Sequence, residues 1–360
     1  MFSLTDKNLA QTIVSRLKDK KVSLTFMHVC GTHQDTLVKH GLDMLLQQCG
    51  IQIRQGPGCP VCVTTPREIE EMIQLARHDI VITTFGDMMQ VPGEHVSLGS
   101  MKAEGCDVRM VYSIEDAVSF AENHPQKDVV FMAVGFETTA PSTAAVLLQE
   151  PPDNFSVCCC HRTMPYALKA LLDMGEVKLD GLIEPGHVST IIGTKPYEFI
   201  SSEYHLPQVI AGFEPLDLLM GVWMLARQIE EGEARVDNEY TRVVHEEGNL
   251  KAQEMMKRVF RESDVAWRGF PVIPRSGLSL RDTYEQWDAR IKYANLLIEL
   301  EGKTFEEPQG CRCGELLRGL VSPHECPLFG TRCTPASPVG PCMVSMEGSC
   351  NIEYRYGSQR

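Results

Sequence analysis

The sequence predicts an α/β protein: two successive parallel-sheet βα domains followed by a small cysteine-rich module. Three observations carry that prediction. Short β-branched runs recur about every 28 residues, with amphipathic stretches between them. The rhythm fades after Asp237. The last fifty residues then hold six cysteines, with much Pro and Gly and little periodicity.

The elements follow in order. Met1 to Lys21 alternates polar and apolar side chains at helical spacing, which predicts an N-terminal helix over 1–19. Strands are expected over Val22 to Val29, Ile51 to Arg54, Asp79 to Thr84 and Val108 to Tyr112, with helices over Thr36 to Gln48, Pro66 to Arg77 and Glu115 to Asn123. These make a first α/β domain, 20–125. The rhythm resumes with strands at Val129 to Val134, Val157 to His161, Gly181 to Glu184 and Val209 to Gly212. Helices at Thr138 to Gln149, Pro165 to Met174 and Leu216 to Glu231 complete a second α/β domain, 126–236. Residues 237–360 read as a helical and cysteine-rich domain, with helices over Asn249 to Arg261 and Ser279 to Leu300, on which the N-terminal helix packs. A segment so poor in apolar periodicity folds when thiols or a metal hold it.

Composition narrows the function. The 360 residues are enough for two or three domains at ~100–200 residues each. With 43% hydrophobic and 23% charged residues, the chain has the make-up of an ordinary globular protein. Its longest apolar runs, such as Val129 to Phe136, are far short of the ~20 residues a membrane span needs. The N-terminus lacks a secretory apolar core, so a cytoplasmic location is expected. A net charge of −14 without a basic stripe argues against nucleic acid, whose phosphates call for Lys and Arg. Fourteen cysteines in such a chain point to metal or thiol chemistry rather than a disulfide framework.

Ligands of open α/β sheets bind beyond the carboxyl ends of strands, so the loops after the strands are the informative ones. The first strand runs into Cys30-Gly31-Thr32-His33 and the second into Gly56-Pro57-Gly58-Cys59-Pro60-Val61-Cys62. A thiol at a strand end, facing the N-terminus of the next helix, is expected to have a lowered pKa, which makes Cys30 a candidate metal ligand or nucleophile beside His33. Cys59 and Cys62 form a C-x-x-C pair, read as a redox dithiol or half a zinc site. Cys30 offers only one further sulfur, which favours the dithiol. The loops Thr84 to Met89, Gly135 to Thr139 and Glu184 to Ser189 read singly as helix caps. His187 stands out among them, because an imidazole sharing a cleft with Cys30 could ligate or relay a proton. Gly212-Phe213-Glu214 echoes Gly135-Phe136-Glu137 as an equivalent strand end. Cys158, Cys159 and Cys160 read as a buried strand, where thiols behave as small hydrophobes.

At the C-terminal end Cys311, Cys326, Cys333 and Cys350 are spaced C-x14-C-x6-C-x16-C, with Cys313 and Cys342 in addition. Four thiolates suit a cubane iron-sulfur cluster or a tetrahedral zinc. The loose spacing lacks the tight knuckles of a zinc ribbon, which favours iron-sulfur.

These motifs together resemble the HypD proteins of nickel-iron hydrogenase maturation over nearly the whole chain: Cys30 to His33, Gly56 to Cys62, Thr84 to Gly93, Gly135 to Thr139, Pro185 to Ser189 and the terminal cysteines. The resemblance implies two α/β domains facing a cleft and a module holding a 4Fe-4S cluster. It implies a scaffold on which iron receives two cyanides and one carbon monoxide, working with a small HypC-type chaperone and a HypE-type cyanide donor before transfer to the hydrogenase large subunit. By position Cys30 would hold the assembly iron, Cys59 and Cys62 would form the redox dithiol, and Cys311, Cys326, Cys333 and Cys350 would ligate the cluster. One position departs from the family, which usually has a second histidine where this chain has Asp35, a harder donor. The competing readings are an iron-sulfur reductase of a partner's disulfide and a structural zinc protein.

Overall fold

In the computed structural model, which describes residues 6–357, nine strands form two parallel sheets. The strands are β1 (Leu24–His28), β2 (Ile51–Gln55), β3 (Val81–Thr84), β4 (Val108–Met110), β5 (Val129–Gly135), β6 (Phe155–His161), β7 (Gly181–Pro185), β8 (Gln208–Ala211) and β9 (Val236–Asn238). The first sheet has the order β2-β1-β7-β8-β9 and the second β4-β3-β5-β6. Every pairing within both is parallel. The register is regular, with Leu24 to His28 opposite Ile51 to Gln55 and Val129 to Gly135 opposite Phe155 to His161. Helices connect the strands, as parallel pairing requires, and several begin with Pro in the first turn, where its missing N–H costs nothing: Pro66, Pro165 and Pro215.

The expected cut between residues 125 and 126 falls inside the second sheet. The chain lays down β1 and β2 in the first sheet, crosses to build β3 to β6, and returns for β7, β8 and β9. A βα rhythm looks the same in either sheet, so the period reveals strands without saying which sheet each joins. The N-terminal helix, Lys7–Asp19, expected on the 237–360 domain, packs instead on the first sheet's helix Pro215–Glu231. It buries Ile13 and Leu17 against helix Pro215–Glu231, and Lys20 pairs with Glu230 there at 2.5 Å.

Strand alternation sorts the core. Met27, Val29, Leu182 and Ile210 of the first sheet share one continuous cluster with Ile82, Val130, Met132 and Val134 of the second. The residues between them, such as Phe26, Ile183 and Val209, or Val129, Phe131 and Ala133, pack on the outer helices. The Cys158 to Cys160 run follows the same rule. Cys158 and Cys160 enter the shared cluster, whereas Cys159 faces outward and donates to the Leu278 carbonyl at 3.0 Å.

Two expectations after residue 237 are corrected. The helix over Asn249 to Arg261 ends at Val259, and the chain turns into an antiparallel hairpin of β10 (Phe260–Ala266) and β11 (Val272–Leu280). The helix over Ser279 to Leu300 is instead a series of short turns, interrupted at Asp288, whose carboxylate caps the Arg290 N–H.

Candidate functional site

Parallel strands present their following loops at one edge, and here the two sheets share the space between those edges. A cavity of about 260 Å³ is lined by Cys30 and Thr32 after β1, Pro60 and Val61 after β2, Phe85 and Met88 after β3, Phe136, Thr138 and Thr139 after β5, and His187 after β7. Cys30 is the N-cap residue of helix Gly31–Lys39; its side chain makes no capping hydrogen bond, and the backbone N–H groups of His33 and Thr32 act to lower its pKa. The helix N-terminus was expected to lower the thiol's pKa. Burial outweighs it and pushes the thiol up to about 11, with the charge of Glu347 adding to the effect. Glu347 also lines the cavity, and its own carboxyl is raised by burial with Asp87 beside it.

The histidines take different parts. Both backbone oxygens near His33 Nε2, those of Ala211 at 3.2 Å and Gly212 at 3.0 Å, are acceptors, so Nε2 carries the proton. His33 thereby ties the end of β8 to the Cys30 helix, and burial holds its pKa near 3. Its ring does not line the cavity. His187 does, stacked on Phe213 at 3.9 Å between ring centres, with its pKa lowered by burial. Asp35 also turns away, toward Arg355 of the terminal helix at 3.5 Å.

Cys59 and Cys62 form a disulfide across the one-turn helix Pro60–Val63. The Cys62 N–H donates to Cys59 Sγ at 3.1 Å, and neither residue has any exposed surface. The Gly31 N–H donates to the Gly58 carbonyl at 3.3 Å, which holds the disulfide loop against the Cys30 loop.

Behind that turn lies a second, smaller space lined by Cys311, Cys313, Cys326, Cys333 and Cys350 together with Leu316, Leu328, Phe329 and Met343. A β-carbon on Gly340 would stand 2.6 Å from Cys311 Sγ and 2.7 Å from Cys313 Sγ, so the thiols close over a bare backbone. Cys313 contacts the thiols of Cys311, Cys342 and Cys350, which brings all six terminal cysteines into one apolar neighbourhood. No three His, Cys, Asp or Glu side chains among the described residues converge on a single metal point. A cubane spreads its four thiolates around an inorganic core, and the donor set of soft sulfurs in a water-poor cavity fits that group. Helices Cys313–Leu317 and Pro341–Val344 both pack on the turn Pro60–Val63, placing the cysteine cluster directly behind the disulfide.

Sequence reasoning missed Glu347 and the part played by Phe213. The echo of Gly212-Phe213-Glu214 was a signal for the second, since Phe213 and Phe136 occupy equivalent strand ends. Nothing local marks Glu347, which reaches the cavity only through the fold of the terminal segment.

A thiol-bearing cavity between two parallel sheets, a buried disulfide and a cysteine cluster packed behind it define a thiol-rich α/β protein whose cysteines are consistent with metal binding. The sequence model of the HypD family, described as the hydrogenase formation hypA family, matches residues 5–357, and the chain belongs to this family. A Methanocaldococcus jannaschii protein named for hydrogenase expression/formation is 47% identical over 99% of both chains. The hydrogenase maturation factor HypD of Cupriavidus necator is 42% identical over 98% of this chain and 95% of its own. That of Escherichia coli is 43% identical over 93% of this chain and 90% of its own.

Proposed function

We propose that this protein is a hydrogenase maturation scaffold that holds iron at Cys30 while cyanide and carbon monoxide are attached. The observation that carries the reading is the ordering of three sulfur sites: the cysteine cluster packs on the Cys59–Cys62 turn, and that turn forms one wall of the Cys30 cavity. Family membership supports it. In this reading Cys311, Cys326, Cys333 and Cys350 hold a 4Fe-4S cluster, which supplies electrons one at a time when bound.

The chain's own residues do the rest. Cys30 offers a soft thiolate once iron displaces its proton, and the N–H groups of Thr32 and His33 stabilise that charge. His33 fixes the loop through the Ala211 and Gly212 carbonyls. His187, neutral because it is partly buried, faces the cargo as a hydrogen-bonding group. The dithiol pair stores two electrons next to the cavity, and the apolar walls of Val61, Phe85, Met88 and Phe136 exclude water. A HypC-type chaperone and a HypE-type cyanide donor are the proposed partners, with onward transfer to the hydrogenase large subunit and a cytoplasmic setting. No described helix is long and apolar enough to cross a membrane.

The alternative, reduction of a partner's disulfide, requires a partner sulfur to reach Cys59 or Cys62, and both are fully buried. The test is an infrared spectrum of the anaerobically purified chain with its chaperone. Cyanide and carbonyl bands on a non-cluster iron are expected; a brown protein without such bands in an active maturation system would overturn the scaffold reading.

A further inference from the structure

His187 presents an exposed imidazole to the Cys30 cavity, and among the described residues no hydrogen bond holds its ring. What the ring does touch is Phe213, with 3.9 Å between ring centres and 27° between planes. An imidazole at a surface with nothing to hold it hops between rotamers within nanoseconds. Whatever fixes Phe213 therefore fixes the ring that a bound cargo meets.

Phe213 is pinned from before, from behind and at its own carbonyl. The Gly212 N–H donates to Glu239 Oε2 at 3.1 Å, and the Glu214 N–H donates to Asp217 Oδ2 at 3.1 Å. The Phe213 carbonyl accepts the Thr36 hydroxyl at 2.7 Å, from the helix that Cys30 caps. Asp217 is buried and is oriented by a two-pronged pair with Arg242, one arm at 3.0 Å. The Arg242 guanidinium lies 4.4 Å over the Tyr240 ring, and Tyr240 in turn meets Phe213 edge to face at 5.6 Å. There is no slack behind the stack. A β-carbon on Gly186, the residue before His187, would stand 3.1 Å from Phe213 Cζ and 3.0 Å from Tyr240 Cδ1, and one on Gly212 would stand 2.7 Å from Tyr240 Cδ2. The Phe213 ring also meets that of His33 at 5.1 Å, so one side chain links the Cys30 helix to the loop that carries His187.

We infer that Phe213, backed by Tyr240, is the positioning residue that sets where the His187 imidazole stands relative to Cys30, and with it the polar contact offered to cyanide on the assembly iron. The inference rests on the proposed role of the Cys30 cavity. Neither aromatic ring lines that cavity, so both act through His187 and not on the cargo. A neutral imidazole has one N–H to donate, and a cyanide nitrogen bound to iron is an acceptor. Such a hydrogen bond is lost when the donor moves by about 1 Å, because the useful range of donor to acceptor distances is narrower than that. A stack held at its backbone by Glu239, Asp217 and Thr36 keeps the donor within that range. A branched aliphatic side chain would fill the same space without a plane for the imidazole to lie on.

The first test uses the full chain with its cluster and labelled histidine rings, before any assembly iron is added. The His187 ring resonances, assigned by their loss in His187→Ala, should lie upfield in the wild type because of the Phe213 ring current. Phe213→Leu should return them to ordinary positions, Tyr240→Leu should broaden or split them, and Tyr240→Phe, which keeps the ring edge, should leave them in place. Tyr240→Leu decides the matter if Phe213→Leu fails to fold. The second test is the infrared spectrum of the chaperone-bound, iron-loaded chain. Its cyanide bands should shift in His187→Ala, Phe213→Leu and Tyr240→Leu, and stay in Tyr240→Phe. Wild-type His187 resonances in Phe213→Leu or Tyr240→Leu, or cyanide bands that shift in His187→Ala alone, would overturn the positioning role. Cyanide bands that stay in His187→Ala would instead take the imidazole away from the cargo and sink the reading of the cavity on which the inference stands, whatever the resonances show.

Discussion

Gly31 and Glu347 are packed so tightly that a β-carbon on Gly31 would stand 2.5 Å from the Glu347 Cβ and 2.7 Å from its carbonyl oxygen. The first turn of the Cys30 helix is bare there because the terminal segment comes in over it. Backbone as well as side chain blocks the space, so a small rotamer change cannot relieve it. Gly31→Ala should therefore move the Glu347 turn, destabilise the fold by about 1–3 kcal/mol, and loosen the cavity wall. Expected are a lower urea midpoint and less non-cluster iron per chain, with cluster absorbance kept. Unchanged stability and iron content would show that the wall is softer than the packing implies.

The cysteine cluster makes a sharper prediction. Cys326 and Cys333 both line the thiol-walled space in a segment whose folding depends on what those thiols hold. Cys326→Ala or Cys333→Ala should abolish iron and sulfide binding and destabilise residues 311–357 in hydrogen exchange. Full iron and sulfide content in either variant would remove these residues from the ligand set. Cys313, whose thiol lies among those of Cys311, Cys342 and Cys350, is the natural substitute to examine in that event.

Strand positions were legible because β-branched runs such as Val129 to Val134 are buried on both faces and so stand out from their helices. Sheet membership was not, since nothing within β7 distinguishes a neighbour of β1 from a neighbour of β6. The hairpin of β10 and β11 escaped because Arg261, Glu262 and Asp264 give β10 a polar, largely exposed strand that reads as the end of a helix. At the site, Cys30, Cys59, Cys62 and His187 were legible as strand-end residues. The direction of the Cys30 pKa shift was not, because the helix N-terminus is visible in sequence and the depth of burial is not. His33 and Asp35 were legible as polar neighbours of Cys30, but their orientation toward β8 and Arg355 depends on elements far along the chain.

A pH dependence of stability follows from Glu184. Its carboxyl titrates at about 8 in the folded chain, against an ordinary value of about 4.3 when unfolded. Between those values the unfolded chain has released a proton that the folded chain keeps. The stabilisation is complete below about pH 4 and is lost as pH rises toward 8, by about 1.4 kcal/mol per pH unit at most. Glu184→Gln cannot titrate, so its urea midpoint should fall less than that of the wild type between pH 5.5 and 7.5. Parallel curves for the two proteins would mean that Glu184 is solvated or paired in the folded state.

The remaining prediction separates the scaffold from the disulfide reductase, because the two give Cys30 different work. If Cys30 holds the assembly iron, Cys30→Ser should leave the cluster intact, since the terminal cysteines line a separate space behind the disulfide turn. It should remove the non-cluster iron and all maturation activity. A hydroxyl is a harder donor with a far higher pKa than a thiol and does not replace a thiolate on iron. The substitution is small and puts a favoured N-cap residue where Cys30 makes no side-chain cap hydrogen bond, so folding should change by less than about 1 kcal/mol. In a reductase, Cys30→Ser would be mild, while Cys59→Ser and Cys62→Ser would be severe. The measurement is cluster absorbance together with the infrared cyanide and carbonyl bands of the purified variant bound to its chaperone. Bands retained in Cys30→Ser would place the iron on another residue, and the cavity offers Glu347 and His187 as the next to test.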